Sequence, residues 1–589
     1  MSGTKETKAQ RVERLKREKN AWEHLDEIRR FAREGHASIP PEWLGTYFRS
    51  WGIYTQGDGQ GVIGGTGGEG RATPFFMVRI RIPNGLLTSE QVRTIASLSR
   101  EHGNGVADIT VRQNIQLHWV RIESIPEVID RLRAIGLSTT GACGDVARNI
   151  TGCPLAGVHA HELADVRPVV EAINRELAGN PEFYNLPRKF KISVSACPDW
   201  CAYPEINDIS LIATRRARGG GAALEKPAGH NGNGNGNGVR GGHEEIGFSV
   251  RVAGGLSTQP HLAVPLNAFV RWEQAVAVVR AITEVFRESE LLRQSREKAR
   301  LKFLFLEHGW TAESFLAAVE ARLGYKLDAA EPVEVPTQVH RDHLGVIQQK
   351  QTGLYSIGAA VIRGRITPEQ LTLAADLAER YGDGQVRNTP MQNLLLVNIP
   401  ETQVATVVER LSAAGMPVES SAFVRGTVAC TGSEFCKLAL TETKSFARWL
   451  TEQLDERFPN YQEQLRLHIT GCPNSCGQHW IADIGIEGKK IKVNGKMVDA
   501  YYFCVGGSVG QIASIARPVG YRCPADEVPN AIGRLLDCFH EERQGQETLQ
   551  KFLARHSTEL LRAVLAGGPT EVAERDLATA AAPHSLEDR

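Results

Sequence analysis

The sequence predicts an α+β protein built twice over, each half a ferredoxin-like α/β unit followed by a larger α/β unit. The first observation behind this is recurrence. Residues 87–95 read LTSEQVRTI and residues 366–374 read ITPEQLTLA. Gly103-Asn104-Gly105 recurs as Gly382-Asp383-Gly384, Gln113-Asn114 as Gln392-Asn393, and Gly136 as Gly415, each pair 279 positions apart. Further on, SACPDWC (195–201) recurs as TGCPNSC (470–476), and Ile206, Asp208 and Ile209 as Ile481, Asp483 and Ile484, all 275 apart. So steady an offset over more than 100 residues marks two homologous halves, roughly 40–285 and 330–545. The second observation is the order of patterns within each half. The third is that cysteines and basic residues are shared unequally between the halves.

Each half opens with a strand-like run such as FFMVRIRI (75–82). A helix follows, begun by the cap-like Thr88 or Thr367 with an acid in its first turn. Next come a strand, QNIQLHWVRI or QNLLLVNI, and a second helix ending at Gly136 or Gly415. The larger unit ends in strands near 191–195 and 207–213, and near 465–470 and 482–487. The division is therefore an N-terminal helical arm (1–40), a first ferredoxin-like half-domain (41–140), a first larger domain (141–289), a helical connector (290–335), a second ferredoxin-like half-domain (336–420), a second larger domain (421–565) and a tail (566–589). Residues 218–242 read as a flexible Gly/Asn loop and the tail as disordered. The stretch GDGQGVIGGTGGEG (57–70) lacks a GK[ST] and does not sit between a strand and a helix; it reads as a mobile loop at the entrance to a site.

At 589 residues the chain is too long for one core. Its formal net charge is zero, which argues against a global field for nucleic acid or membrane. There is no run of about 18 apolar residues, and the N-terminus lacks the apolar stretch of a secretory signal. The expected compartment is the cytoplasm, where eleven cysteines point to metal or catalysis before disulfides.

The second half holds Cys430-x5-Cys436 and Cys472-x3-Cys476. Four thiolates from two loops can hold a four-iron, four-sulfur cluster, and Thr431, Gly432 and Ser433 make a small-residue loop able to wrap one. Zinc is the main rival, although its usual short spacing does not match the x5 pair. In the first half Cys197 and Cys201 echo Cys472 and Cys476, without a matching second pair; Cys153 and Cys143 are nearby in sequence. These four read as small thiols packed in the core, not as ligands. Positive charge is divided the other way. Arg112 matches Met391, Arg148 falls near Arg425 or Val428, and LPRKFK (186–191) is more basic than its counterpart ending at Arg466. Lys189 and Lys191 are two apart, so a regular strand would turn both to one side. One half would supply an anion pocket and the other an electron source.

CTGSEFCKLALTETK followed by TGCPNSCGQHWIADIG closely resembles the sulfite and nitrite reductase family, whose cluster motif is C-x5-C…C-x3-C. The resemblance covers about 500 residues, both halves included. It implies a [4Fe-4S] cluster on Cys430, Cys436, Cys472 and Cys476, and a sirohaem bridged through Cys476. It implies that Arg112, Arg148, Lys189 and Lys191 bind or protonate the substrate and that Arg188 meets a sirohaem carboxylate. Arg79, Arg81, Gln113, Asn114, Gln116, His118, Asn149 and Gln392 are further expected cofactor contacts. No nicotinamide or flavin motif is evident, so electrons are expected from ferredoxin or a flavoprotein. Lys-x-Lys where nitrite-reducing members have Lys-x-Asn favours sulfite, reduced by six electrons, over nitrite. Two other readings are a cluster-bearing electron relay without catalysis and a zinc-stabilised binding protein. The sequence gives no oligomeric state.

Overall fold

The computed structural model describes residues 6–62, 69–217, 244–337 and 342–568. The Gly/Asn loop expected at 218–242, the tail from 569 onward and the centre of the glycine-rich stretch 57–70 lie outside the described residues. Among the described residues there are four five-stranded sheets, two for each half. No described helix is long and apolar enough to cross a membrane.

The two smaller sheets are antiparallel and exchange strands. The first runs Ile53–Gly57, Ala72–Ile80, Ile115–Arg121, Ala107–Ile109 and ends on Arg365–Ile366, which comes from the other half. The second runs Gly345–Gln348, Leu354–Ala359, Leu394–Pro400, Gln385–Asn388 and ends on Leu86–Thr88 from the first half. Each half thereby covers an edge that would otherwise expose unpaired backbone. The helices that follow the exchanged strands, Ser89–His102 and Pro368–Tyr381, both start in capping boxes, Thr88 with Gln91 and Thr367 with Gln370. They face each other through Arg93–Asp376 (2.8 Å) and Arg100–Glu369 (3.0 Å). Beneath them one apolar core takes Ile95 and Leu117 from the first half and Leu371 and Leu396 from the second.

Two equivalent glutamines pin this junction. Gln113 and Gln392 both adopt the left-handed conformation, with φ of 59° and 64°. Gln113 Nε2 donates to the Asn84 and Asn388 carbonyls (3.1 and 3.0 Å), and its Oε1 accepts from Gly152 N (3.0 Å). Gln392 Nε2 donates to Ile109 O (2.9 Å), and its Oε1 accepts from Ala429 N (3.0 Å). Each amide joins the two halves and also ties a small sheet to a larger unit.

The larger sheets are mixed. The first runs Val264–Arg271, Glu244–Val252, Ile209–Ala217, Ile192–Ser195 and Thr151–Gly152, with its last three strands parallel. The second runs Thr427–Ala429, Leu467–Thr470, Ile484–Val493, Lys496–Val505 and Arg517–Pro524, with its first three parallel. Each has its own core, around Val194, Leu211 and Phe286 in one and Ile469, Phe503 and Leu535 in the other. The segment read as a connector packs into the first of these through Leu292, Phe303, Phe315 and Val319. The N-terminal helix Lys8–Glu18 reaches the same unit, where Lys16 Nζ donates to Leu186 O (2.8 Å) and pairs with Glu13 (2.5 Å).

Replacing Gln113 by Ala leaves the buried carbonyls of Asn84 and Asn388 and the amide of Gly152 unpaired, each such loss costing about 1–3 kcal/mol. Gln113→Ala is expected to lower the thermal unfolding midpoint clearly; an unchanged midpoint would remove the clamp from this account.

Candidate functional site

The four cysteines of the second half are brought together by strand order. Cys430 directly follows Thr427–Ala429, and Cys472 follows Leu467–Thr470 after one glycine. These strands are parallel neighbours, so both loops leave the same end of the sheet, the end where such sheets usually bind ligands. Cys430 N donates to Ile469 O (3.1 Å), and Leu440 N to Gly471 O (2.7 Å), which locks one loop onto the other. The Gly471 amide donates to Cys430 Sγ (3.2 Å), and the Asn474 side chain to Cys472 Sγ (3.5 Å). Burial, and next the charge of Cys476, push the Cys436 thiol up to about 12 and raise Cys430 and Cys472 as well. Cys430, Cys436 and Cys472, costly to ionise alone but two of them supplied with N–H donors, together with the exposed Cys476 fit an iron–sulfur cluster whose irons carry the compensating charge. A side chain at Gly477 would run into Ile469 O, so the turn after Cys476 has room only for glycine.

This loop is braced from the first half. Phe435, between Cys430 and Cys436, stacks on His118 with ring centroids 4.1 Å apart, and the Arg365 guanidinium lies 5.1 Å from its ring centre. His118 uses both nitrogens, on Asp108 and Gln56 (3.0 Å each); Arg365 holds Asp108 (3.0 Å) and Glu434 (2.7 Å). His118 is thus a brace for the cysteine loop and has no nitrogen left for a cofactor. The glycine-rich stretch, expected as an entrance loop, is described only at its two ends. At its described ends Gly57, Val62 and Gly70 donate backbone N–H to Phe435, Ala439 and Lys437 (2.9, 2.9 and 2.6 Å). These ends strap the cysteine loop down. Gly61 (φ 66°) passes so close that a Cβ there would lie 2.5 Å from Ala439 O.

The cations of the first half are gathered by a parallel pairing just before two strands. Ala147 bridges Phe190, with Arg148 N donating to Phe190 O (2.8 Å). That register sets Arg148 beside Lys189 and Lys191. Arg112 reaches the same place, donating to Asn207 Oδ1 (2.7 Å), Asn149 O (2.5 Å) and Ile192 O (3.2 Å) while its buried Nε finds no partner. Burial, then repulsion from Arg148, lower Arg112 to about 9. Burial, then Arg300, lower Lys189 to about 8 and Lys191 well below its ordinary value. Arg112 and Lys191 line a small polar cavity with Thr151, Tyr203 and Gln478. Cys476 is the one exposed member of the four cysteines, and its charge is felt at Arg79 and Lys189. The basic set of one half therefore faces the last cysteine of the other. Crowded cations and the unpaired buried Nε atoms of Arg79 and Arg112 suit a macrocycle ringed with carboxylates.

Several of the residues expected as cofactor contacts hydrogen-bond within the chain. Arg81 donates to Asn174 and to the carbonyls of Ala147 and Arg148 (3.0, 3.0 and 3.3 Å). Asn149 Nδ2 spends both hydrogens on Ile82 O (2.7 Å) and Arg112 O (2.9 Å), and Asn114 Oδ1 accepts from Ile82 N (3.2 Å). With Gln113 and Gln392, these side chains shape the loops that carry Arg112 and Arg148. Arg79 donates to Cys143 Sγ (2.9 Å) and Gln116 Oε1 (3.0 Å), which explains the position of Cys143. Arg188 stays a third exposed, 3.7 Å from Asp145. Sequence reasoning missed Arg300, which is buried and pairs with Asp208 (2.8 Å). The repeat held the clue: Asp483 pairs with Arg466 (3.2 Å), whereas the residue equivalent to Arg466 is Lys191, so Asp208 draws its arginine from the connector.

If the strap shields the sulfurs, Gly61→Val should release iron to an added chelator several-fold faster than the parent, followed by the loss of visible absorbance; equal release rates would refute that role.

Comparison with known proteins agrees with this geometry. The model of the nitrite and sulphite reductase 4Fe-4S domain matches residues 143–327 and 420–570, and that of the nitrite/sulfite reductase ferredoxin-like half domain matches 69–135 and 347–414. The chain is 35% identical to an assimilatory ferredoxin-dependent nitrite reductase of Haloferax mediterranei, over 93% of this chain and 90% of that one. It is 34% identical to a ferredoxin sulfite reductase of Mycolicibacterium paratuberculosis, over 90% and 92%. Among solved structures it resembles the NirA protein of Mycobacterium tuberculosis, with a TM-score of 0.84 and 34% identity over 94% of this chain and 97% of that one. Duplicated fold, cysteine site and facing cations together place the chain in the family of ferredoxin-dependent sulfite and nitrite reductases, oxidoreductases that work with sirohaem and a [4Fe-4S] cluster.

Proposed function

We propose that the chain reduces sulfite to sulfide by six electrons drawn from ferredoxin, with Cys430, Cys436, Cys472 and Cys476 holding the cluster and Cys476 also meeting the sirohaem. The observation that carries the choice of substrate is the pairing of Lys189 and Lys191 with Arg112 and Arg148. Their mutual repulsion in a dry site is relieved more by a doubly charged anion than by a singly charged one. Nitrite is the second reading, favoured by relatives of similar identity that carry that name, including one from Synechococcus elongatus at 36%.

When bound, the cluster and the sirohaem would supply low-potential electrons and a metal site for the anion. The chain's own residues do the rest. Arg112 and Arg148 are held by backbone carbonyls, so their charge is fixed in place before substrate arrives. Lys189 and Lys191 are mobile point charges lowered toward neutrality, which suits them to give protons to departing oxygens and to regain them. Arg79 lies near enough to Cys476 to feel its charge and would orient a cofactor carboxylate there.

Lys191→Asn removes a cation while keeping a polar group. It is expected to lower kcat/KM for sulfite by about tenfold or more, roughly 1.4 kcal/mol, with nitrite affected less; a preference that does not move counts against sulfite. The pH dependence follows from the sign of the Lys189 shift. Its ammonium is charged below about 8 and neutral above, so anion affinity should fall as pH rises through that value. Lys189→Arg, charged throughout, should move the alkaline limb of kcat/KM upward, and an unmoved limb would assign it to another group.

A further inference from the structure

Three cysteines that the redox site does not use converge in the first large unit. Cys153 follows the strand Thr151–Gly152, and Cys197 follows the strand Ile192–Ser195 after Ala196; Cys201 lies four residues on. These strands are parallel neighbours, as are the two that carry Cys430 and Cys472. The three thiols therefore occupy the place in the first half that the cluster cysteines occupy in the second. Cys197 Sγ is 3.3 Å from Cys201 Sγ, Cys153 Sγ is 3.7 Å from Cys201 Sγ, and all three sulfurs lie within 4.8 Å of one another.

We infer that Cys153, Cys197 and Cys201 together bind a single zinc ion, in a structural site distinct from the redox centre. The spacing is the reason. Zinc–sulfur bonds of about 2.3 Å in a tetrahedron put sulfurs about 3.8 Å apart, close to the two separations seen. A four-iron cluster gives each thiolate its own iron and spreads the sulfurs further. A disulfide would use two of the thiols and strand the third, yet Cys201 stands within reach of both others.

The surroundings fit a closed structural site. All three cysteines are buried, and the walls are Leu155, Val158, Leu395 and Val397. The last two belong to the second half, and Val397 is the repeat equivalent of His118, which braces the cluster loop. Three thiolates around a doubly charged ion leave one negative charge. Two basic side chains lie beside it. His159 reaches Asp199, which lies between Cys197 and Cys201, at 3.4 Å. Arg387 is wholly buried, feels the charge of Cys153 and donates to the carbonyls of Pro154 and Ala156 (2.8 Å each). An ion here would tie the loop after Thr151–Gly152 to the loop after Ile192–Ser195, the two strands whose opposite ends carry Arg148 and Lys191.

The test is metal analysis of the full-length holoenzyme made in zinc-replete medium and washed with a chelator. About one zinc per chain is expected, with zinc-edge X-ray absorption giving three sulfurs at about 2.3 Å and one lighter atom. Cys197→Ser and Cys201→Ser should each lower bound zinc at least fivefold while iron content and the visible spectrum stay at the parent level. Zinc-free holoenzyme overturns the inference, whether its three thiols alkylate freely or peptide mapping finds a disulfide among them. Zinc bound without sulfur neighbours overturns it equally. Should the serine variants not fold, the absorption spectrum of the parent protein decides alone.

Discussion

The two halves of this protein are held face to face by an exchange of short strands, and everything at the site depends on it. Leu86–Thr88 and Arg365–Ile366 each complete the sheet of the opposite half, and Gln113 and Gln392 lock the crossing. The exchange imposes an approximate two-fold relation. Under that relation the entry to the parallel strands of the first large unit lies against the exit from those of the second. Cations gathered at one meet cysteines gathered at the other, as the influence of Cys476 on Lys189 records.

The site is electrostatically expensive. Arg112, Arg148, Lys189, Lys191 and Arg300 crowd into a half-buried space in which Asp208 is the nearby acid that acts on Arg112 and Lys191. Burial and mutual repulsion both oppose the charge of Arg112, Lys189 and Lys191, and a carboxylate-rich macrocycle and an oxyanion would relieve both. The scaffold meets the cost with fixed hydrogen bonds. Carbonyls of Ala142, Gly144, Asn149 and Ile192 hold the two arginines, and Arg81 stiffens the loop that presents Arg148. Below this the N-terminal helix contributes Lys16, which with Arg296 neutralises Asp145 beside Arg188.

Duplication followed by divergence explains the division of labour. Equivalent positions keep the same backbone, seen in the matched left-handed residues Asn84 and Arg363, Gln113 and Gln392, and Tyr203 and Gln478. Side chains at those matched places then took different tasks. His118 braces a cysteine loop where Val397 closes an apolar wall, and Lys191 lines a small polar cavity where Arg466 pairs with Asp483.

Much of this was legible in the chain. Repeat offsets, capping threonines and the C-x5-C and C-x3-C spacings are local features, and local rules of turn, cap and ligand spacing suffice to read them. The duplicated α+β fold and the membership of the family follow from them. The partners of long side chains were not legible. Gln113, Gln392, Asn149 and Arg81 look like cofactor contacts in sequence because they flank the site, and in the fold each also donates to carbonyls that only the folded crossing brings near. Arg300 lies more than 90 residues from Asp208, and Cys153 is 48 from Cys201. Residue order alone determined the repeat, the four-cysteine motif and the excess of positive charge in the first half. Which cation faces which sulfur was decided by tertiary structure, because a hydrogen bond or a Coulomb contact depends on separation in space, and in a strand-exchanged pair of halves that separation is set by the partner half.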